Sequence, residues 1–129
     1  MIYIVDFGSQ VTQLIARRVR EAGVYCEIVS NRNLISKIKV NLPSGIIFSG
    51  GPASVHKSRT PKIDQKIFEL KIPILGICYG MQLIVHQLGG KVEISNQREF
   101  GKTLITQKSK SKLFHGVKLK NNQHYVWMS

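Results

Sequence analysis

Two cysteines in 129 residues are too few to staple a small secreted scaffold, and Cys26 and Cys78 are not spaced as metal-ligand pairs. A reducing compartment is the simpler expectation, with no metal site. No apolar run approaches the roughly 20 residues that span a bilayer. The N-terminus shows no basic leader ahead of an apolar stretch and a small-residue cleavage site, so the chain is expected to be cytoplasmic with no membrane partner. Acid is also scarce. Seven Asp and Glu stand against 19 Lys and Arg, a net charge of +12, and after Glu99 there are six lysines and no acid at all. Such a balance can mark a nucleic-acid partner. Here it is carried by scattered lysines among many Ile and Asn, with no arginine-rich run and no nucleic-acid module, which points to a solvated lysine-rich surface instead.

What is present is a globular pattern. Hydrophobic residues make up 43% of the chain, enough for a core and too many for a disordered segment. The length suits one domain, 1–129, and is too short for two ordinary ones. Short β-branched runs alternate with segments of helical period. Ile2 to Val5 reads as a buried strand, followed by the polar turn Asp6-Phe7-Gly8-Ser9-Gln10. Apolar residues at Val11, Leu14, Ile15, Val19 and Ala22 then predict a helix closed by Gly23. Tyr25 to Val29 reads as a second strand, and Ile46 to Phe48 as a third that runs into Ser49-Gly50-Gly51-Pro52.

A helix is predicted from Pro61 to Leu70, with Pro61 in its first turn and Ile63, Ile67 and Leu70 facing inward. The apolar strand Pro73 to Ile77 leads directly into a helix carrying Met81, Ile84, Val85 and Leu88, stopped by Gly89-Gly90. Strands buried on both faces and alternating with helices predict an α/β fold with a doubly wound, mainly parallel sheet, whose ligands sit at the carboxyl ends of the strands. Beyond Gly90 the character changes. Lys91 to Ile94, Thr103 to Thr106 and His124 to Met128 read as short strands between lysine-rich turns, without a convincing helix.

Gly76-Ile77-Cys78-Tyr79-Gly80 has the form G-x-C-x-G at a strand-to-helix junction, the cysteine counterpart of a nucleophile elbow. Such a turn forces the nucleophile into a strained conformation and lifts it above the sheet, and the glycines keep side chains out of the crowded turn. The backbone N–H of Tyr79 is then placed to stabilise an oxyanion on a carbonyl attacked by Cys78. A second donor is available from the Gly50-Gly51-Pro52 turn ending an adjacent strand. The alternative is that Cys78 is a small hydrophobe filling a βα turn. Cys26, inside the run Tyr25-Cys26-Glu27-Ile28 with no glycine or helix start beside it, reads as strand filler.

The segments Asp6-Phe7-Gly8-Ser9-Gln10, Ser49-Gly50-Gly51-Pro52, Gly76-Ile77-Cys78-Tyr79-Gly80-Met81-Gln82, Gln97-Arg98-Glu99-Phe100-Gly101 and Val126-Trp127-Met128-Ser129 together resemble the class I glutamine amidotransferase family. Within it they resemble the branch formed by the amidotransferase domains of glutamine-hydrolysing GMP synthases. The resemblance implies a flavodoxin-like topology and a Cys-His-Glu mechanism, in which Cys78 attacks the side-chain amide of glutamine and water hydrolyses the thioester. It also implies that Gly51 and Tyr79 supply the oxyanion donors, that Gln82 lines the glutamine pocket, and that Ser129 begins the segment holding the substrate's amino-acid end. The implied partners are glutamine and an ATP pyrophosphatase (synthetase) domain or chain. ATP and Mg would belong to that synthetase, leaving the amidotransferase part without a cofactor.

The departure lies at the C-terminus. The family's His-Gly-Asp segment follows Val-Trp-Met-Ser, and its catalytic His-x-Glu pair comes later still, whereas this sequence stops at Ser129. The expected domain is therefore C-terminally incomplete. None of His56, His86, His115 and His124 matches the family's catalytic histidine, so a truncated or split-gene remnant that only binds glutamine or a complementary chain is the alternative to an active enzyme. A flavin-binding module is a weaker reading, because Asp6-Phe7-Gly8-Ser9-Gln10 offers one glycine and an acid where a phosphate cradle is needed.

Overall fold

The computed structural model describes residues 1–51, 60–93, 101–117 and 119–128. They form two compact units, residues 1–92 and 93–129, divided close to where the sequence changes character after Gly90. In the first unit the chain runs β1 (Ile2–Asp6), α1 (Val11–Glu21), β2 (Cys26–Ser30), α2 (Leu34–Val40), β3 (Gly45–Phe48), a 3-10 turn at Gln65–Leu70, β4 (Ile74–Gly76) and α3 (Tyr79–Gln87). The four strands form one parallel sheet in the order β2-β1-β3-β4, with Ile4 opposite both Ile28 and Ile47.

Alternation along the strands divides the core between the two faces of the sheet. Tyr3 and Val5 of β1, with Ile46 and Phe48 of β3, pack with Leu34 and Ile38 of α2, Ile67 of the 3-10 turn and Leu83 of α3. Ile4 and Cys26 face the other way onto Ala16 of α1, with Ile2, Ile15, Val19 and Ile47 around them. Helices thus cover both faces of a parallel sheet, as the alternating pattern predicts. Cys26 is filler, with its thiol turned to the Ala16 carbonyl at 3.5 Å. No helix among the described residues is long and apolar enough to cross a membrane.

Three elements differ from the sequence reading. The helix expected from Pro61 is a 3-10 turn beginning at Gln65, capped by Asp64, whose carboxylate accepts from the Lys66 N–H at 3.0 Å. The preceding residues are held by other partners, since the Ile63 N–H and C=O both bond the Gln87 side chain. Leu70, expected inside, is exposed. Helix α2 is an addition. In α3 the residues that turn inward are Tyr79, Gly80 and Leu83, while Met81, Val85 and Leu88 stay exposed.

The second unit is an antiparallel pair, β5 (Gly101–Thr106) and β6 (Gln123–Met128), in register from Gly101 opposite Met128 to Thr106 opposite Gln123. Asn121 and Asn122, both at positive φ, make the turn into β6. The Lys102 ammonium lies 4.4 Å from the centre of the Tyr125 ring. Lys91 to Glu93 are not in a strand, and Ile94 lies outside the described residues.

Candidate active site

In a parallel sheet of this order the chain crosses from β2, on one side of β1, to β3 on the other. The resulting crevice opens at the carboxyl ends of β1 and β3. Three segments meet at that end: the Asp6–Gln10 loop after β1, Ser49-Gly50-Gly51 after β3, and Ile77-Cys78 after β4. Each is tied to its neighbour by backbone. The Ile77 N–H donates to the Phe48 carbonyl at 2.9 Å, and the Ser49 N–H to the Val5 carbonyl at 3.3 Å.

The elbow itself is built by contact with β3. Cys78 has φ 51° and ψ −117°, a conformation that costs a non-glycine residue of order 1–3 kcal/mol, so the surrounding structure must impose it. The two glycines show how. A Cβ on Gly80 would lie 2.6 Å from the Phe48 carbonyl carbon and side chain, and a Cβ on Gly76 would lie 2.8 Å from the Met81 nitrogen. Helix α3 therefore presses against β3 at one glycine and folds back over β4 at the other. The Gly80 N–H, shared between the carbonyls of Ser49 (3.1 Å) and Ile77 (3.0 Å), closes the turn. Cys78 is left exposed at the start of α3.

Tyr79, the first residue of α3, has no intrahelical acceptor for its N–H. Its ring is buried, edge-on to Phe7 at 5.3 Å between centroids, and its hydroxyl donates to the Pro61 carbonyl. Burial pushes the Tyr79 phenol up from its ordinary value, against a smaller opposing effect of a hydrogen bond with the Thr60 side chain. Gly51 fits closely against the β1 loop, where a Cβ would meet the Phe7 carbonyl oxygen at 3.1 Å and the Tyr79 ring at 3.5 Å. Gly50 lies over the cysteine, with an added Cβ 3.6 Å from that of Cys78. The structure thus seats Gly51 against the ring of Tyr79, the residue that follows Cys78.

Gln82 stands one turn into α3, its N–H donating to the Cys78 carbonyl at 3.2 Å. Its Oε1 is buried with no hydrogen-bond partner among the described residues. Ser129 lies outside the described residues, as do His56 and the Gln97–Phe100 part of its motif. His86 and His115 are exposed. Among the described residues no group of three His, Cys, Asp or Glu could hold a metal ion.

Two residues at this end of the sheet escape a reading by apolar period. Thr12 and Ser49 are fully buried and joined hydroxyl to hydroxyl at 2.7 Å. Position 12 shares a helical face with Ile15, Ala16 and Val19, so its place in the core was open to inference from spacing.

The profile of the glutamine amidotransferase class-I family matches residues 3–129. The chain belongs to that family. Among its relatives in the amidotransferase family are the glutamine-hydrolyzing GMP synthases of Clostridium perfringens, 54% identical over 100% of this chain, and of Acetivibrio thermocellus, 55% identical over the same span. The chain spans about a quarter of the length of these curated relatives, 25% of each. The crystal structure of a GMP synthase component from Thermoplasma acidophilum superposes with a TM-score of 0.72 at 32% identity, covering 98% of this chain and 62% of that one. The amidotransferase match covers the segments that form the elbow and the glycine turn.

Proposed function

We propose that the chain is the glutamine-hydrolysing part of a GMP synthase, releasing ammonia for the amination of XMP to GMP. The observation that carries the reading is Cys78, exposed at positive φ at the head of α3, with the Gly50-Gly51 turn seated against it. The Cys78 sulfur attacks the side-chain amide carbon of glutamine, and the N–H groups of Tyr79 and Gly51 receive the negative charge on the oxygen. The amide nitrogen takes a proton and leaves as ammonia. Water then adds to the thioester, and glutamate departs as the sulfur regains its proton. Gln82, one turn into α3 from Cys78, would line the pocket for the bound amino acid, with rotation of its side chain bringing the buried Oε1 within reach of an N–H. In the family a His-x-Glu pair moves these protons, and no residue of this chain matches it. The ammonia would pass to an ATP pyrophosphatase (synthetase) domain or chain, which would bring ATP and Mg; the amidotransferase chemistry itself needs no cofactor. Both would work in the cytoplasm.

The test is glutamate release from glutamine by the parent protein and by Cys78→Ser, each measured alone and with a synthetase partner. Release that falls at least about a hundredfold in the variant supports the reading. Equal release by both removes Cys78 from the mechanism. Alkylation of Cys78 that glutamine protects against, without turnover, would identify a chain that binds glutamine and lacks its base.

A further inference from the structure

We infer that the buried hydroxyls of Thr12 and Ser49 are positioning groups that hold the Gly50-Gly51 backbone over Cys78. This rests on reading that turn as half of the oxyanion site. Thr12 is 1% exposed and Ser49 0%, and they are the polar side chains buried among the described residues. Their oxygens lie 2.7 Å apart. The Ser49 hydroxyl donates to the Val5 carbonyl at 2.7 Å and accepts from the Thr12 hydroxyl, whose oxygen also lies 3.1 Å from Asp6 Oδ1, where the Gly8 N–H donates at 2.8 Å. Two protons thus serve three oxygen contacts, which couple the β1 loop, the first turn of α1 and the end of β3.

An apolar pair of the same shape would fill this space without the cost of desolvating two hydroxyls, so stability alone does not account for them. What they achieve is orientation. Ser49 is fixed by its side chain to β1 and α1, by its N–H to the Val5 carbonyl and by its own carbonyl to the Gly80 N–H of the elbow. The next residue along the chain is Gly50, packed over Cys78, and then Gly51. With Ser49 held on three sides, the turn leaves in one direction. With the hydroxyls gone, the backbone keeps its strand pairing but loses the links that set that direction. The polar Asp6-Phe7-Gly8-Ser9-Gln10 motif, which the catalytic reading leaves unused, thereby acquires a role in orienting the opposite segment.

The experiment compares alkylation of Cys78 by a chloromethyl-ketone analogue of glutamine, whose carbonyl needs the oxyanion donors, with alkylation by iodoacetamide, which does not. Thr12→Val and Ser49→Ala remove a hydroxyl, and Thr12→Ser keeps it. The expected result is a fall of about tenfold or more in the ketone rate for Thr12→Val and Ser49→Ala, with the iodoacetamide rate within about twofold of the parent and Thr12→Ser parental with both reagents. Equal ketone rates in all four proteins would overturn the inference, and so would a loss in Thr12→Ser as large as in Thr12→Val. Amide hydrogen exchange at Gly80 gives a readout that does not depend on glutamine. If the parent shows no preference for the glutamine ketone over chloroacetone, the glutamine reading fails while exchange still decides the positioning role. Faster exchange in Thr12→Val but not in Thr12→Ser supports it, and unchanged exchange rejects it.

Discussion

Gln87 grips Ile63 with both ends of its side-chain amide: Nε2 donates to the Ile63 carbonyl at 2.8 Å and Oε1 accepts the Ile63 N–H at 3.1 Å. The last residue of α3 therefore supplies a strand-like pair of bonds to a segment that would otherwise be free to join the following turn. Those bonds also secure Pro61, whose carbonyl receives the Tyr79 hydroxyl.

Gln87→Leu keeps the volume and leaves both backbone groups of Ile63 without their partner, so it is expected to destabilise the chain by about 1–3 kcal/mol. Urea unfolding followed by circular dichroism measures this. A loss no larger than that from an exposed substitution such as His86→Ala would show that water replaces the amide at no cost.

Gly80→Ala places a methyl group against the Phe48 backbone, where an added Cβ already lies 2.6 Å from the carbonyl carbon. Neither α3 nor β3 can yield without breaking the Gly80 to Ser49 hydrogen bond. A destabilisation of about 2–3 kcal/mol is expected, together with loss of Cys78 alkylation by the glutamine ketone. A crystal structure of the variant with the elbow undisturbed would contradict this account.

Cys78 is itself a source of strain. Its positive φ suits glycine, so Cys78→Gly is expected to stabilise the fold by about 1 kcal/mol, the relief of strain exceeding the added freedom of the unfolded chain, while abolishing glutamine hydrolysis. Thermal unfolding reads the first effect. A melting temperature below that of the parent would argue that the cysteine side chain contributes packing that outweighs the strain.

Burial raises the phenols of Tyr3 and Tyr79 above the ordinary value of 10.0, and the charge on Glu27 adds to the effect at Tyr3. The fold therefore favours neutral phenols. Their contribution is present in full below the unfolded value and is lost as pH rises through the folded one. Between about pH 9 and 11 the parent should lose more stability than a Tyr3→Phe, Tyr79→Phe double variant. Parallel curves in urea titrations at the two pH values would exclude these groups as the cause.

The parallel sheet could be read from sequence because its strands are short, wholly apolar and followed by turn residues, as Ile2–Val5 and Ile46–Phe48 show. The elbow could be read because Gly76 and Gly80 flank Cys78 at a spacing that close packing requires. Helix α2 could not. Residues 34–40 alternate Ile with Lys in a way that suits a strand as well as a helix, and the decision is made by tertiary contact. Leu34 and Ile38, one turn apart, are buried in the cluster that contains Tyr3, while the Tyr3 hydroxyl donates to the Asn41 carbonyl at 3.1 Å. The rotation of α3 is likewise settled by tertiary contact. Its apolar spacing favours Met81 and Val85, but the contact between Gly80 and β3 sets the rotation of the helix and turns Tyr79 and Leu83 inward.

The glycines around the sulfur are unequal in what they would tolerate. Gly76 and Gly80 are hemmed in by backbone, so change there is blocked by assembly of the fold before chemistry is tested. Gly50 is not. Among the described residues a methyl group at that position would meet only the Cβ of Cys78 at 3.6 Å and the Ser9 hydroxyl at 3.8 Å, both ordinary contact distances. Gly50 is thus the adjustable wall of the site, where an evolving or redesigned enzyme could narrow the approach to its nucleophile and trade one acyl donor for a slimmer one while the scaffold stands unchanged.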